Sequence, residues 1–148
     1  MPPLNPKINI FLVDDDAVFL QWLKIEFAEH PVYHVKTFAT GELCIANLEK
    51  ENPDLIILDY NLNGLEKKAM NGLQTLCQIK ICKPNLPVIM LTSRDKIEVA
   101  VNCMQYGALD YVVKSTTAFM RIEKNIHAFF QLRNMEKEES GYGELCPV

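Results

Sequence analysis

Glycine is scarce where a nucleotide-binding fold would need it: of six glycines in 148 residues, the first is Gly41. A phosphate-cradling loop requires glycines directly after the first strand, which argues against nucleotide- and flavin-binding α/β proteins. Basic charge is not in excess either. The net charge of -4 argues against a surface built to displace counterions from a nucleic-acid backbone, so no nucleic-acid binding is expected. No apolar run approaches the roughly 18 residues of a membrane span. The opening Met1-Pro2-Pro3-Leu4-Asn5-Pro6-Lys7 has no apolar core of signal-peptide length, so a cytoplasmic protein without membrane contact is expected. The five cysteines, Cys44, Cys77, Cys82, Cys103 and Cys146, form neither a CxxC pair nor an even set. Neither a zinc knuckle nor a disulfide framework follows, and free, mostly buried thiols are expected.

What the chain does have is short apolar runs alternating with stretches of helical period, the pattern of βα units around a parallel sheet. The runs are Ile8-Asn9-Ile10-Phe11-Leu12-Val13, Tyr33-His34-Val35-Lys36-Thr37, Leu55-Ile56-Ile57-Leu58, Pro87-Val88-Ile89-Met90-Leu91 and Tyr111-Val112-Val113. Five helices are expected between and after them. The first runs from Ala17 to about Glu29 with Phe19, Leu20, Leu23 and Phe27 on one face. The second is a short helix capped by Thr40 with Leu43, Ala46 and Leu48 inward. The others run from about Leu73 to Cys82, from about Asp95 to Tyr106 with Gly107 closing it, and from Ala118 to about Arg133. Residues 1–6 are expected to be a disordered N-terminus, residues 7–133 one domain, and residues 134–148 a polar tail or linker.

The informative residues stand directly after the strands. Asp14 and Asp15 follow the first, Asp59 the third, Thr92 the fourth and Lys114 the fifth. In an open α/β sheet those C-terminal ends share one crevice, where ligands bind. Three carboxylates held together repel unless a divalent cation offsets their charge. An all-oxygen site that leaves room for water and a phosphoryl oxygen suits Mg2+. Asp59 can then serve as a carboxylate nucleophile on phosphorus, with Lys114 as fixed positive charge and Thr92 as hydroxyl donor to the phosphoryl oxygens. A carboxylate above its pKa is already ionised, so no general base is expected. Taken singly each element is weak, since an Asp run after a strand is often only a turn or helix cap, a role expected of Asp16.

Together, Phe11-Leu12-Val13-Asp14-Asp15-Asp16, Leu55-Ile56-Ile57-Leu58-Asp59-Tyr60-Asn61, Val88-Ile89-Met90-Leu91-Thr92-Ser93 and Gly107-Ala108-Leu109-Asp110-Tyr111-Val112-Val113-Lys114 resemble the signature of response-regulator receiver domains in two-component signalling. The resemblance spans about residues 7 to 133. It implies a flavodoxin-like, doubly wound α/β fold with a five-stranded parallel sheet in the order 2-1-3-4-5. It implies phosphorylation of Asp59 by a sensor histidine kinase or histidine phosphotransfer protein, and a signalling domain rather than a turnover enzyme. By the same likeness Asp15 and Asp59 would ligate Mg2+ directly, Asp14 mainly through water, and Asn61 through its backbone carbonyl. Thr92 and Tyr111 would form the switch, the ring turning inward as Thr92 moves toward the phosphoryl group. Homodimers would form through the face made by the fourth helix, fifth strand and fifth helix.

Departures from that pattern are specific. Ser115 follows Lys114 where receivers commonly have a proline in a cis peptide, so a trans bond is expected here. Asn63 replaces a usual proline, and Met70-Asn71-Gly72 comes late, which implies an insertion of about five residues between Asn63 and Ala69. Lys67 or Lys68 in that loop is expected to meet a partner, and Arg94 to tune phosphoryl lifetime. Two rivals remain. A haloacid-dehalogenase-like phosphohydrolase would want an Asp where Asn61 stands. A receiver that no longer uses phosphorylation and serves as a docking module would look much the same in sequence.

Overall fold

A computed structural model describes residues 7–62, 64, 67–93 and 96–145. Arg94, Asn63, Cys146 and the 1–6 segment lie outside the described residues. The chain divides into two units, Met1–Ser115 and Thr116–Val148.

The first unit contains one five-stranded sheet, all parallel, in the order β2-β1-β3-β4-β5. The strands are β1 (Ile8–Val13), β2 (Tyr33–Phe38), β3 (Leu55–Asp59), β4 (Val88–Thr92) and β5 (Asp110–Val113). The central strands β3 and β4 are buried along their whole length, as expected of continuous aliphatic runs covered on both faces. Alternation divides them cleanly. Phe11, Val13, Ile56, Leu58, Val88 and Met90 share one core with Cys44, Leu48, Leu76, Ile79 and Cys103 from helices. Ile10, Leu12, Ile57, Ile89 and Leu91, each at most 1% exposed, occupy the alternate positions. Each such aliphatic side chain contributes roughly 1.5–3 kcal/mol by leaving water.

The helices are α1 (Ala17–Ala28), α2 (Gly41–Ala46), α3 (Leu48–Glu51), α4 (Gly72–Cys82), α5 (Ile97–Gln105) and, in the second unit, α6 (Ala118–Leu145). Among the described residues six helices replace the expected five because the second breaks in two. The Asn47 side-chain amide donates to the Leu43 carbonyl at 2.8 Å, which competes with the helical ladder, and Asn52 closes α3 in the left-handed region at φ 45°. The inward face is also corrected. Thr40 does cap α2 through the Leu43 N–H, but Leu43 is 51% exposed and Ala46 is exposed as well. The buried positions are Gly41, Cys44 and Leu48.

Gly107 takes φ +99° and its N–H donates to the Met104 carbonyl, while that of Ala108 reaches the Cys103 carbonyl. This is the left-handed closure that glycine allows after a helix. The α6 backbone continues to Leu145, past the Arg133 boundary read from the sequence. Met135-Glu136-Lys137-Glu138-Glu139 lacks apolar periodicity but consists of strong helix formers. Of the four cysteines among the described residues, all are free; Cys44 and Cys103 are buried and Cys82 is exposed. No described helix is long and apolar enough to cross a membrane.

Candidate functional site

The register sets the site. Val13 pairs with Leu58, Asp59 with Leu91, and Thr92 with Val113, so the residues that end β1, β3, β4 and β5 arrive at one edge of the sheet. There Asp14, Asp15 and Asp59 each offer a carboxylate oxygen, and the three oxygens lie within 4.8 Å of one another. Lys114 Nζ stands 2.8 Å from Asp14 Oδ2 and 3.5 Å from Asp59 Oδ1. Its backbone N–H donates to the Thr92 carbonyl at 2.7 Å, which fixes where the lysine leaves the sheet. Asp14, Asp59 and Thr92 are buried, at 2%, 3% and 1% exposure. No described peptide bond is cis, so Ser115 follows Lys114 through an ordinary trans bond.

Local structure orients the acids. Asp14 Oδ1 accepts the Asp16 N–H at 2.9 Å, and Asp16 in turn caps α1 by accepting from Val18 and Phe19, the role expected of it. Asp15 Oδ2 accepts the Gly64 N–H at 3.0 Å. The Asn61 backbone N–H serves Asp59. The exit of the loop is fixed independently: the Gly72 N–H donates to the Tyr60 carbonyl at 3.0 Å. Asn71 and Gln74 form a reciprocal capping box at the start of α4. A Cβ on Gly72 would lie 2.2 Å from the Asp59 carbonyl oxygen, so only glycine lets α4 begin this close to the strand that carries Asp59.

Burial makes these charges costly. It is the leading cause that pushes the Asp59 carboxyl up to about 7, with the Asp14 charge adding to the shift and Lys114 opposing it. The direction is the one expected of carboxylates crowded together with no cation to offset them, and burial adds to it. Burial alone would pull Lys114 down, yet close contact with Asp14 and the charges of Asp59, Asp14 and Asp16 hold it above 10.5. One lysine does not satisfy the acids. Asp14 Oδ2 is buried and, among the described residues, has the Lys114 ammonium at 2.8 Å as its ion-pair partner but no other polar partner. Three carboxylate oxygens within 4.8 Å that share a single ammonium fit a hard divalent cation.

Tyr111 is buried in β5, and its hydroxyl accepts the Lys96 backbone N–H at 3.1 Å. Lys67 and Lys68 are exposed. Three contributors escaped sequence reasoning. Phe19 read as ordinary core from its helical spacing, yet its ring centre lies 5.0 Å from Lys114 Nζ. Glu42 was not singled out, yet both of its carboxylate oxygens accept from the Met70 N–H at 3.3 Å. Gly64 carried no signal beyond lying in the insertion.

The family comparison agrees with this arrangement. The response regulator receiver domain matches residues 10–126. The chain is 34% identical over 110 residues to a protein-glutamate methylesterase/protein-glutamine glutaminase of Geobacillus kaustophilus, a stretch covering 72% of this chain and 30% of that protein. It is 35% identical to the heme response regulator HssR of Staphylococcus epidermidis over 72% of this chain and 45% of that one. The chain thus spans less than half the length of these relatives. A CheY-like response regulator receiver domain protein from Methanospirillum hungatei superimposes with a TM-score of 0.72 at 27% identity, covering 89% of this chain and 98% of the other. With the strand order, the acidic edge and the sequence match in agreement, the chain belongs to the response-regulator receiver family of two-component signalling.

Proposed function

We propose that this protein is a phosphorylation switch in which Asp59 accepts a phosphoryl group from the phosphohistidine of a sensor kinase or histidine phosphotransfer protein. The observation that carries the reading is the meeting of Asp14, Asp15 and Asp59 within 4.8 Å, with Lys114 reaching both Asp14 and Asp59. An Asp59 carboxylate oxygen forms the new O–P bond as the P–N bond of the donor breaks, the electron pair leaving with the imidazole nitrogen. Lys114 holds positive charge where the phosphoryl oxygens gather, and the Thr92 hydroxyl donates to one of them.

Asp15 and Asp59 would hold Mg2+ directly, Asp14 through water, and Asn61 through its backbone carbonyl. The ion would supply positive charge that lowers the proton affinity of Asp59 and offsets the charge of the incoming phosphoryl group. Thr92 and Tyr111 form the readout: a shift of Thr92 toward the phosphate changes what Tyr111 can reach, including its bond to Lys96. Residues 7–133 would be the working domain of a cytoplasmic protein and residues 134–148 a polar tail or linker. Lys67 and Lys68, both exposed, are candidates for contact with the phosphodonor.

Incubation with acetyl phosphate and Mg2+ tests the reading by intact mass. A phosphoryl adduct on the wild-type protein that is absent from Asp59→Asn supports it. No adduct, and no spectral response to beryllofluoride, would instead favour a docking module that works without phosphorylation.

A further inference from the structure

The geometry points to Phe19 as a positioning residue for Lys114: its ring is a cation–π platform that holds the ammonium over the acidic site. The inference rests on the proposed role of Lys114 in phosphoryl transfer. Lys114 is followed by Ser115 through a trans bond. No proline ring stiffens the loop that carries it. The side chain must therefore be directed by what surrounds its Nζ. Two of those neighbours, Asp14 and Asp59, are the groups whose charge state changes with cation binding and phosphorylation. Neither can serve as a constant guide.

Phe19 can. It sits on the first turn of α1, anchored by the Asp16 cap that accepts the Phe19 N–H at 3.3 Å. Asp16 is tied in turn to Asp14 by the bond from its own N–H. The Lys114 Nζ lies over the ring face, 5.0 Å from its centre, inside the roughly 6 Å over which a ring quadrupole attracts a cation. Phe19 also meets Trp22 at 5.4 Å between ring centres, a neighbour that restricts how the phenyl ring can turn. Because the Lys114 side chain is only 12% exposed, the attraction is weakly screened. The ring offers an attraction that does not titrate and does not compete for the carboxylate oxygens. Lys114 is thereby kept poised when Asp14 and Asp59 are neutralised by a cation.

Phe19→Leu preserves an apolar side chain but removes the quadrupole, while Phe19→Tyr keeps it. Two measurements separate this inference from the function on which it rests. In the unphosphorylated protein, ring-current shielding should move the Lys114 ε-methylene protons upfield by NMR. That displacement should persist in Phe19→Tyr and vanish in Phe19→Leu. In acetyl phosphate with Mg2+, phosphoryl incorporation should slow by about three- to tenfold in Phe19→Leu and stay near the wild-type rate in Phe19→Tyr. In a Lys114→Met background, Phe19→Leu should have no further effect. An unshifted Lys114 in the wild type overturns the inference. So does a rate loss from Phe19→Leu that persists without Lys114, since it would mean that Phe19 acts through α1 packing. If the wild type takes up no phosphoryl group, the proposed function fails, and the NMR shift still decides whether Phe19 holds Lys114.

Discussion

Two lysines at opposite ends of the sheet show how surroundings assign different work to one side chain. Lys114, at the C-terminal edge, faces Asp14 and Asp59, and its pKa rises despite burial. Lys80, near the N-terminal edge, donates to the carbonyls of Leu86 at 2.6 Å and Pro84 at 3.4 Å. Burial lowers its pKa. The Lys80 stem also fills the space beneath Gly107, where an added Cβ would meet its Cε at 3.4 Å. Carbonyl dipoles satisfy an ammonium without demanding its charge, whereas carboxylates hold it charged. The first arrangement staples a turn. The second stores electrostatic tension that a new ligand can release.

The largest expected effect asks whether this division is real. Lys114→Met should slow phosphoryl incorporation from acetyl phosphate by on the order of 100-fold or more, while Lys80→Met should leave it within about twofold, as followed by intact mass over time. Equal losses would erase the distinction. Next in size is the tension itself. Asp59 has a folded pKa near 7 against an ordinary 3.8, so its contribution to stability is fully present below the lower value and lost as pH rises through the upper one. Asp59→Asn should therefore stabilise the protein at pH 8 by about 2–3 kcal/mol in urea unfolding. The gain should disappear toward pH 4 and shrink on addition of Mg2+. A gain of the same size at every pH would separate it from ionisation.

A smaller effect sharpens the other end. Lys80→Met should cost about 1 kcal/mol of stability, from two carbonyls that lose a donor while the apolar stem is retained. The smallest lies in alkali. Lys80, shifted below 10.5, penalises folding while charged, so its contribution improves as pH rises through its folded value. Lys114, shifted above 10.5, contributes stability that is lost as pH rises through its own. Titration of the two ε-methylene groups by NMR should find Lys80 deprotonating first.

The same contrast explains what could be read from residues alone. The strands were legible because β3 and β4 are continuous aliphatic runs, and burial on both faces demands that composition. Asp14, Asp15, Asp59, Thr92 and Lys114 were legible because a strand end in a parallel sheet has only one edge to reach. Three kinds of feature were not legible. The break at Asn47 depends on a side chain choosing a carbonyl over the ladder. The inward turn of Cys44 rather than Leu43 depends on α2 lying where Gly41 abuts Thr75. The partnership of Phe19 with Lys114 joins residues 95 positions apart in sequence and has no local period. The raised proton affinity of Asp59 was legible as far as the neighbouring acids cause it, while the larger cause, burial, depends on packing and not on residue type.

The seating of Gly72 against the backbone of Asp59 and Tyr60 has a practical consequence. Because the Tyr60 N–H is held by the Leu91 carbonyl and its own carbonyl takes the Gly72 N–H, the two ends of the intervening segment are clasped together. Chain added between them closes a loop whose ends already meet, at an entropic cost that grows only as the logarithm of length. That makes the segment a natural grafting point: a reporter peptide spliced in there would sit beside Asp59 while leaving its scaffold in register.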